Sequence, residues 1–268
     1  MRLVVPTIGD RPDYLELCLT SIRNQIESVE LVIVGPATAA SRLREVADRH
    51  SCRFLTEEHR GLSNAINQGW RGAETEYVAW LGDDDMLTGR SLSAACDALE
   101  RNPTAAMVYG RFQVIDVSGR PLYVLRPGTF ASWFAGYGQN FMGQPGSVYR
   151  REAVERVGML DPALRYAMDF DLHLRLRKWG GMLYLPQVLG CFRVHATSLT
   201  VTNQNPELEQ LRVMRRYLGP KAQRLELLWW PLARVVSQAW GLTAKSGVIE
   251  STARKVSALR CRAAHQGS

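Results

Sequence analysis

Five cysteines in 268 residues are too few and too scattered to staple a fold. Cys18, Cys52, Cys96, Cys191 and Cys261 are odd in number and form no CxxC pair. This spacing argues against a disulfide framework or a zinc cluster and for reduced thiols in the cytosol. No apolar run approaches the roughly 20 residues that cross a bilayer as a helix. The chain opens directly on a strand pattern, Leu3-Val4-Val5, with no basic stretch and apolar run before it. No secretory leader is therefore expected. Glycine-rich phosphate loops are also missing. There is no GxGxxG after the first strand and no GxxxxGK[ST] anywhere, which argues against a dinucleotide Rossmann site and a P-loop kinase.

Most of the chain lacks an excess of either charge. The formal net charge is +7, and residues 206–268 alone hold 11 Lys/Arg against 4 Asp/Glu. The basic character thus belongs to the C-terminal tail, the body is neutral, and a composition boundary falls near residue 203.

What is present is an alternation of strands and helices. Residues 3–6 read as a first strand, with Thr7-Ile8-Gly9-Asp10 as its exit loop. Pro12 and Asp13 suit the first turn of a helix, in which Tyr14, Leu17, Cys18 and Ile22 recur at helical spacing. Strands at 31–34, 53–55 and 77–81 alternate with helices at 41–50, 62–73 and 92–99. Four such alternations predict a doubly wound α/β half whose strand ends bind ligands. Trp70 and Trp80 read as core. Beyond Pro103 a hairpin turns at Ser118-Gly119-Arg120-Pro121. An aromatic, glycine-containing stretch at 130–141 reads as a loop that lines a binding site, covers the core, or does both. A helix is expected at 168–179, and a strand-like segment at 182–194 is interrupted by Pro186.

The fourth strand ends in Gly82-Asp83-Asp84-Asp85. Three adjacent carboxylates repel one another and have no packing reason to follow a buried strand. A hard divalent cation would relieve the repulsion. A solvated acidic turn, with an Asp as helix N-cap, is the alternative.

These pieces resemble the family 2 glycosyltransferases of the GT-A fold. Val5-Pro6-Thr7-Ile8 with Arg11 is similar to that family's first loop. Arg60-Gly61-Leu62-Ser63-Asn64-Ala65 is similar to its second nucleotide-contacting segment, and Leu81-Gly82-Asp83-Asp84-Asp85 to its DXD motif. Val157-Gly158-Met159-Leu160-Asp161 followed by residues 168–176 is similar to the segment carrying the catalytic base, and Arg193-Val194-His195 to its closing Arg-x-His segment. The matches cover about residues 2–202 in the family's order.

The resemblance implies a GT-A-like sheet, mixed and mostly parallel, and an inverting enzyme that uses a nucleotide-sugar donor with Mg2+ or Mn2+. Pro6, Thr7, Arg11, Arg60, Ser63, Asn64, Asp83 and Asp84 would contact the donor. Asp85 and His195 would hold the metal, Asp83 helping through its water shell and Asp84 standing as an N-cap. Asp169 would be the general base toward a glycan or lipid-linked acceptor. Asp171 lies two residues on, so the helical period sends it to roughly the opposite side, as a cap or salt-bridge partner. His173, one turn beyond Asp169, would orient the base or sit at the surface. The sequence departs from the family's pattern at Gly35-Pro36, where an acid usually contacts the base, and at Met168, where Glu often precedes the catalytic Asp.

The expected organisation is a catalytic domain over 1–203, divided into a nucleotide half (1–103) and an acceptor half (104–203), then a basic amphipathic helical tail over 204–268. The tail begins with a helix at 207–218 carrying Leu208, Leu211 and Met214 on one side. Trp229, Trp230 and Trp240 lie among basic residues. Residues 225–262 suit a membrane interface, or equally helices packed on the catalytic part or on a second copy in a homodimer. No nucleic-acid module is present. A cytoplasmic enzyme, peripheral at the inner membrane face in cell-surface polysaccharide synthesis, is the expectation. A nucleotidyltransferase and a non-catalytic sugar-nucleotide-binding protein are the alternatives.

Overall fold

The structure is a computed structural model that describes residues 1–25, 28–135, 140–198, 206–218 and 245–246. The tail's Trp229, Trp230 and Trp240, with nearly all of 225–262, lie outside the described residues.

Four parallel strands begin the sheet: β1 (Arg2–Pro6), β2 (Glu30–Gly35), β3 (Arg53–Thr56) and β4 (Tyr77–Trp80). Between them run α1 (Pro12–Arg23), α2 (Ala40–Arg49) and α3 (Leu62–Trp70). A two-residue strand, β5 (Met86–Leu87), follows the acidic triplet, and α4 (Ser91–Glu100) comes next. The second half holds β6 (Ala105–Ile115), β7 (Pro121–Leu125), α5 (Ala131–Ala135), β8 (Val148–Arg150), α6 (Arg151–Arg156), α7 (Met168–Trp179) and β9 (Gly181–Arg193). α8 (Pro206–Tyr217) and β10 (Lys245–Ser246) close the chain's described part. The strand order is β10-β7-β6-β8-β4-β1-β2-β3. β8 is antiparallel to both β4 and β6. β9 runs parallel to β6 and also pairs with β5. The sheet is therefore mixed, as expected, with parallel pairing among β1–β4 and again between β6 and β9.

The pattern of the first strand explains the layering. Leu3 and Val5 face a core formed with Leu15, Leu19, Ile22, Leu43 and Leu99. Val4 faces the other core, with Ile66, Trp70, Tyr149 and Phe170. A strand covered on both faces needs a continuous apolar run, which is what residues 3–5 supply. Each fully buried Leu, Ile or Val contributes about 1.5–3 kcal/mol of transfer energy, so both layers are strongly held. Gly69 lets α3 approach β1, because a Cβ there would stand 2.6 Å from the Val4 methyls.

Several local expectations are corrected. In α1 the buried stripe is Leu15, Cys18, Leu19 and Ile22, while Leu17 is exposed. Both this stripe and the Tyr14-Leu17-Cys18 stripe have helical spacing, and the sheet selects the first. The aromatic stretch at 130–141 contains the short helix α5. His173 is neither at the surface nor bonded to Asp169. It is wholly buried, and its Nε2 lies 3.1 Å from the Tyr149 hydroxyl. Burial in this apolar setting lowers its pKa to about 3, so it stays neutral. On α8, Leu208 is exposed and Val213 and Met214 are the buried residues. They enter the same core as Phe170, so this first helix of the tail packs onto the body. Pro186 does not end β9. Instead, the β6–β9 register shifts around it.

Candidate active site

The acidic triplet sits where β4 leaves the sheet. It is not a solvated turn: Asp83 and Asp85 are 3% and 4% exposed. Nor does Asp84 cap a helix, since β5 comes next and α4 starts only at Ser91. Arg11, at the start of α1, spans two of the carboxylates. Its Nη2 donates to Asp83 at 2.7 Å and its Nη1 to Asp84 at 2.6 Å. Thr7, just past β1, donates its hydroxyl to Asp83 at 2.5 Å. The first loop predicted to hold the donor, with buried Pro6 and Thr7, is thus assembled on the acidic loop.

The three carboxyls are tuned differently. Burial pushes Asp83 up to about 6, against the Thr7 hydrogen bond and the Arg11 charge. For Asp84 burial also acts upward, but the His195 hydrogen bond and Arg11 outweigh it and hold the group below its usual range. Burial, reinforced by the Asp84 charge, lifts Asp85 well above the usual range. Asp85 Oδ1 accepts the Arg193 backbone N–H at 2.9 Å.

Gly82 leaves a small cradle beside this loop. An atom at its missing Cβ would lie 2.9 Å from Asp84 Oδ1 and 3.2 Å from Asp85 Oδ2. Two carboxylate oxygens therefore converge on one point. The described residues hold no group of three or more His, Cys, Asp or Glu side chains arranged as a metal cage. Magnesium-like ions suit this donor set, because they bind through one or two carboxylates plus phosphate and water. His195 stands elsewhere. Its Nε2 is 2.9 Å from Asp84 and 3.1 Å from Arg11, and its Nδ1 is 3.0 Å from the Thr197 hydroxyl. Both ring nitrogens are engaged, and the ring holds Asp84 rather than presenting a free nitrogen.

Arg193 is the residue that sequence reasoning undervalued. It is 1% exposed, yet its guanidinium contacts no carboxylate among the described partners. Nε donates to the Asp84 carbonyl at 2.9 Å, and Nη1 reaches the Asp116 and Val117 carbonyls at 3.2 and 3.3 Å. The guanidinium lies 4.5 Å from the Tyr14 ring centroid, which adds a cation–π contact. Arg193 thus clamps the acidic loop to the β6–β7 turn and to α1. The Arg-x-His spacing was visible, but nothing in it showed which of the two residues is the anchor.

Asp169 enters from the first turn of α7. Among the described residues its two oxygens accept from neutral donors, the Phe170 N–H at 2.7 Å and the Asn140 amide at 3.1 Å. Burial raises its carboxyl to about 6, opposed by those two hydrogen bonds. Asp171 is different. It forms an ion pair with Arg175 at 2.7 Å and accepts the Tyr217 hydroxyl at 2.7 Å. The two-residue spacing separates a structural acid from an unpaired one. Asn140 had no signal in the sequence. It belongs to a segment whose Gln144 donates to the Trp80 carbonyl at 2.6 Å, and so links Asp169 to the strand that ends in the acidic loop. Asn140 Oδ1 is buried without a partner among the described residues.

The second predicted segment is split. Arg60 is exposed at the start of α3, and Asn64 donates to its carbonyl at 2.8 Å. Gly61 has φ +117°, so the turn into α3 suits glycine. The α3 N-terminus offers backbone N–H groups to an anion. Ser63 instead turns inward, against the Leu164 carbonyl and the Met168 sulfur.

Comparison with known proteins agrees with the fold. A family model described as "Glycosyl transferase family 2" matches residues 3–158. The O-antigen biosynthesis protein RfbC of Myxococcus xanthus is 29% identical over 186 residues, covering 66% of this chain but 14% of that protein. The uncharacterized glycosyltransferase EpsJ of Bacillus subtilis is 23% identical over 229 residues, covering 78% of this chain and 65% of that one. Among solved structures, the mannosyltransferase PcManGT from Pyrobaculum calidifontis, in complex with GDP-Man and Mn2+, superposes with a TM-score of 0.59 at 18% identity. It covers 96% of this chain and 78% of its own. TarS 1-349 of S. aureus in complex with UDP gives 0.58 at 15% identity, covering 86% and 74%. The sheet is that of the GT-A glycosyltransferases. With the family model spanning more than half of its length, the chain belongs to glycosyl transferase family 2.

Proposed function

We propose that this chain transfers a glycosyl group from a nucleotide-sugar donor to a hydroxyl of a glycan or lipid-linked acceptor, with inversion, in the synthesis of a cell-surface polysaccharide. The observation that carries the reading is Asp169. It is a carboxylate without an ion-pair partner among the described residues, raised to about 6, and joined through Asn140 and Gln144 to the end of β4. Such a group is poised to take a proton near neutral pH.

In this reading the acceptor O–H gives its proton to Asp169 as its oxygen attacks the anomeric carbon. The bond from that carbon to the nucleoside diphosphate breaks, and the diphosphate leaves. Thr7 and Arg11 hold the donor side through Asp83 and Asp84, while Arg60 and the α3 N-terminus face the diphosphate. Asp85 and Asp84 would hold Mg2+ or Mn2+ in the Gly82 cradle. When bound, the ion would supply charge stabilisation for the departing diphosphate. The polysaccharide setting is supported by the names of the relatives, RfbC and EpsJ among them. No helix among the described residues is long and apolar enough to cross a membrane. A cytoplasmic enzyme acting at the inner membrane face, through residues 225–262 or as a homodimer, is part of the proposal.

The test is donor turnover with a panel of sugar nucleotides and Mn2+. Asp85→Ala should abolish the metal-dependent donor shift in melting temperature. Asp169→Asn should keep that shift and lose transfer. Normal transfer by Asp169→Asn would remove the base assignment.

A further inference from the structure

The start of α7 has no side-chain cap of its own: Ala167, at the N-cap position, makes no such bond. The carboxylate that serves it comes from α8, more than forty residues away. Glu209 Oε1 accepts the Arg165 N–H at 3.1 Å, and Oε2 accepts the N–H groups of Tyr166 and Ala167 at 2.6 and 2.7 Å. Ala167 is fully buried, so its N–H needs a protein partner. A negative charge at this end also matches the helix dipole.

Three further contacts hold α8 in place. Val213 and Met214 are buried in the core that contains Met168 and Phe170. The Tyr217 hydroxyl donates to Asp171, and Arg216 pairs with Asp161 at 3.1 Å. On the opposite side, α3 grips the same loop. Asn67 exchanges two hydrogen bonds with the backbone of Leu160, at 2.8 and 3.0 Å, and Ser63 reaches the Leu164 carbonyl. The loop that delivers Asp169 is therefore held between the helix at the donor segment and the first helix after the composition boundary.

We propose that Glu209 is a positioning residue for Asp169, and that α8 is part of the machinery that aims the base. This rests on the reading of Asp169 as the general base. Glu209 touches no reacting atom. It fixes residues 165–167, and through them the first turn of α7, where the Phe170 N–H binds Asp169.

The experiment compares the full chain with its Glu209→Ala and Glu209→Gln variants. Amide hydrogen exchange is read at residues 165–167 and 170, hydrolysis is read with UDP-GlcNAc and GDP-Man in Mn2+, and the melting-temperature shift is read with the same donors. In Glu209→Ala, exchange should quicken at 165–167 and also at Phe170. Hydrolysis should fall by roughly 10- to 100-fold, the scale of a misplaced catalytic group. The donor-induced shift should stay as in the wild type. Glu209→Gln keeps one acceptor oxygen and should fall between the two, and it carries the comparison if the alanine variant does not fold. Unchanged exchange at Phe170, or unchanged hydrolysis while 165–167 exchange faster, would overturn the proposal. If the wild type hydrolyses neither donor, the transfer reading fails for these donors. Phe170 exchange then decides the positioning claim alone: faster exchange supports it and unchanged exchange defeats it.

Discussion

Replacing Asp169 with Asn should trade activity for stability in a pH-dependent way. The Asp169 carboxyl is raised to about 6 by burial, whereas in the unfolded chain it titrates near its ordinary value of about 3.9. The folded state therefore favours the protonated form. Stability linked to this group is fully present below about pH 4 and is lost as pH rises through 6. The difference is roughly two pKa units, which at 1.36 kcal/mol per unit is a handicap of about 2–3 kcal/mol at pH 8 and well under 1 at pH 4. Asparagine carries no such handicap. Its Oδ1 can still accept the Phe170 N–H, and its amide can meet Asn140 Oδ1, which is buried without a described partner. Asp169→Asn should thus be more stable than the wild type by about 2 kcal/mol at pH 8 and nearly equal at pH 4, while losing transfer. Urea unfolding at the two pH values measures the first effect, and donor turnover measures the second. Wild-type turnover should climb as pH rises through 6, since only the ionised carboxylate takes a proton. A stability gap that is the same at both pH values, or a flat turnover profile between pH 5 and 8, would refute the reasoning.

Asn140→Ala should move the acid limb of turnover to higher pH, because the lost amide bond favours the ionised Asp169. Activity should accordingly fall more at pH 6 than at pH 8. Arg193→Ala should lower unfolding stability by about 1–3 kcal/mol, the range for leaving a buried acceptor unsatisfied. It leaves the Asp84 carbonyl without its side-chain donor, while the Asp116 and Val117 carbonyls keep the Gly119 N–H and the Tyr14 hydroxyl, and denaturant melts would measure the loss. Gly82→Ala should push the Asp84 carboxylate aside and abolish the calorimetric signal of Mn2+ binding in the presence of GDP-Man or UDP-GlcNAc. Its methyl would occupy the point where the Asp84 and Asp85 oxygens converge.

The fold's first half was legible because it rests on local patterns. Short apolar runs such as Leu3-Val4-Val5 and the helical spacing of Leu62, Ile66 and Gly69 suffice to place strands and helices in order. The triplet stood out as a candidate site because three adjacent acids after a buried strand lack a packing explanation. What stayed hidden depends on contacts between distant segments. Which of Arg193 and His195 anchors the acidic loop is decided by a turn at 116–117 and by Tyr14, far away in sequence. The inward stripe of α1 was missed because two stripes share one period, and only the sheet chooses. Asn140 carried no periodic or motif signal at all. The composition boundary near residue 203 was a real charge step, but charge reports surface. It could not reveal that Val213 and Met214 are core.

The same long-range contacts join the two halves of the proposed site. α3 carries the predicted diphosphate segment at its N-terminus, and through Asn67 and Ser63 it also bonds the loop that precedes Asp169. Under the proposed function, a donor that drew the start of α3 toward its phosphates would pull on residues 160–164 at the same time. The segment at 140–144 makes a second link, from the Asp169 carboxylate to the carbonyl of Trp80. A shift in the acidic loop would reach the base by that route. Two independent tethers between donor side and base make their geometry mutually dependent. The described neighbours that hold Asp169 are neutral, so its proton affinity follows how far its surroundings exclude water. In the proposed reaction, further drying around Asp169 when donor and acceptor bind would raise that affinity and strengthen the carboxylate as a base.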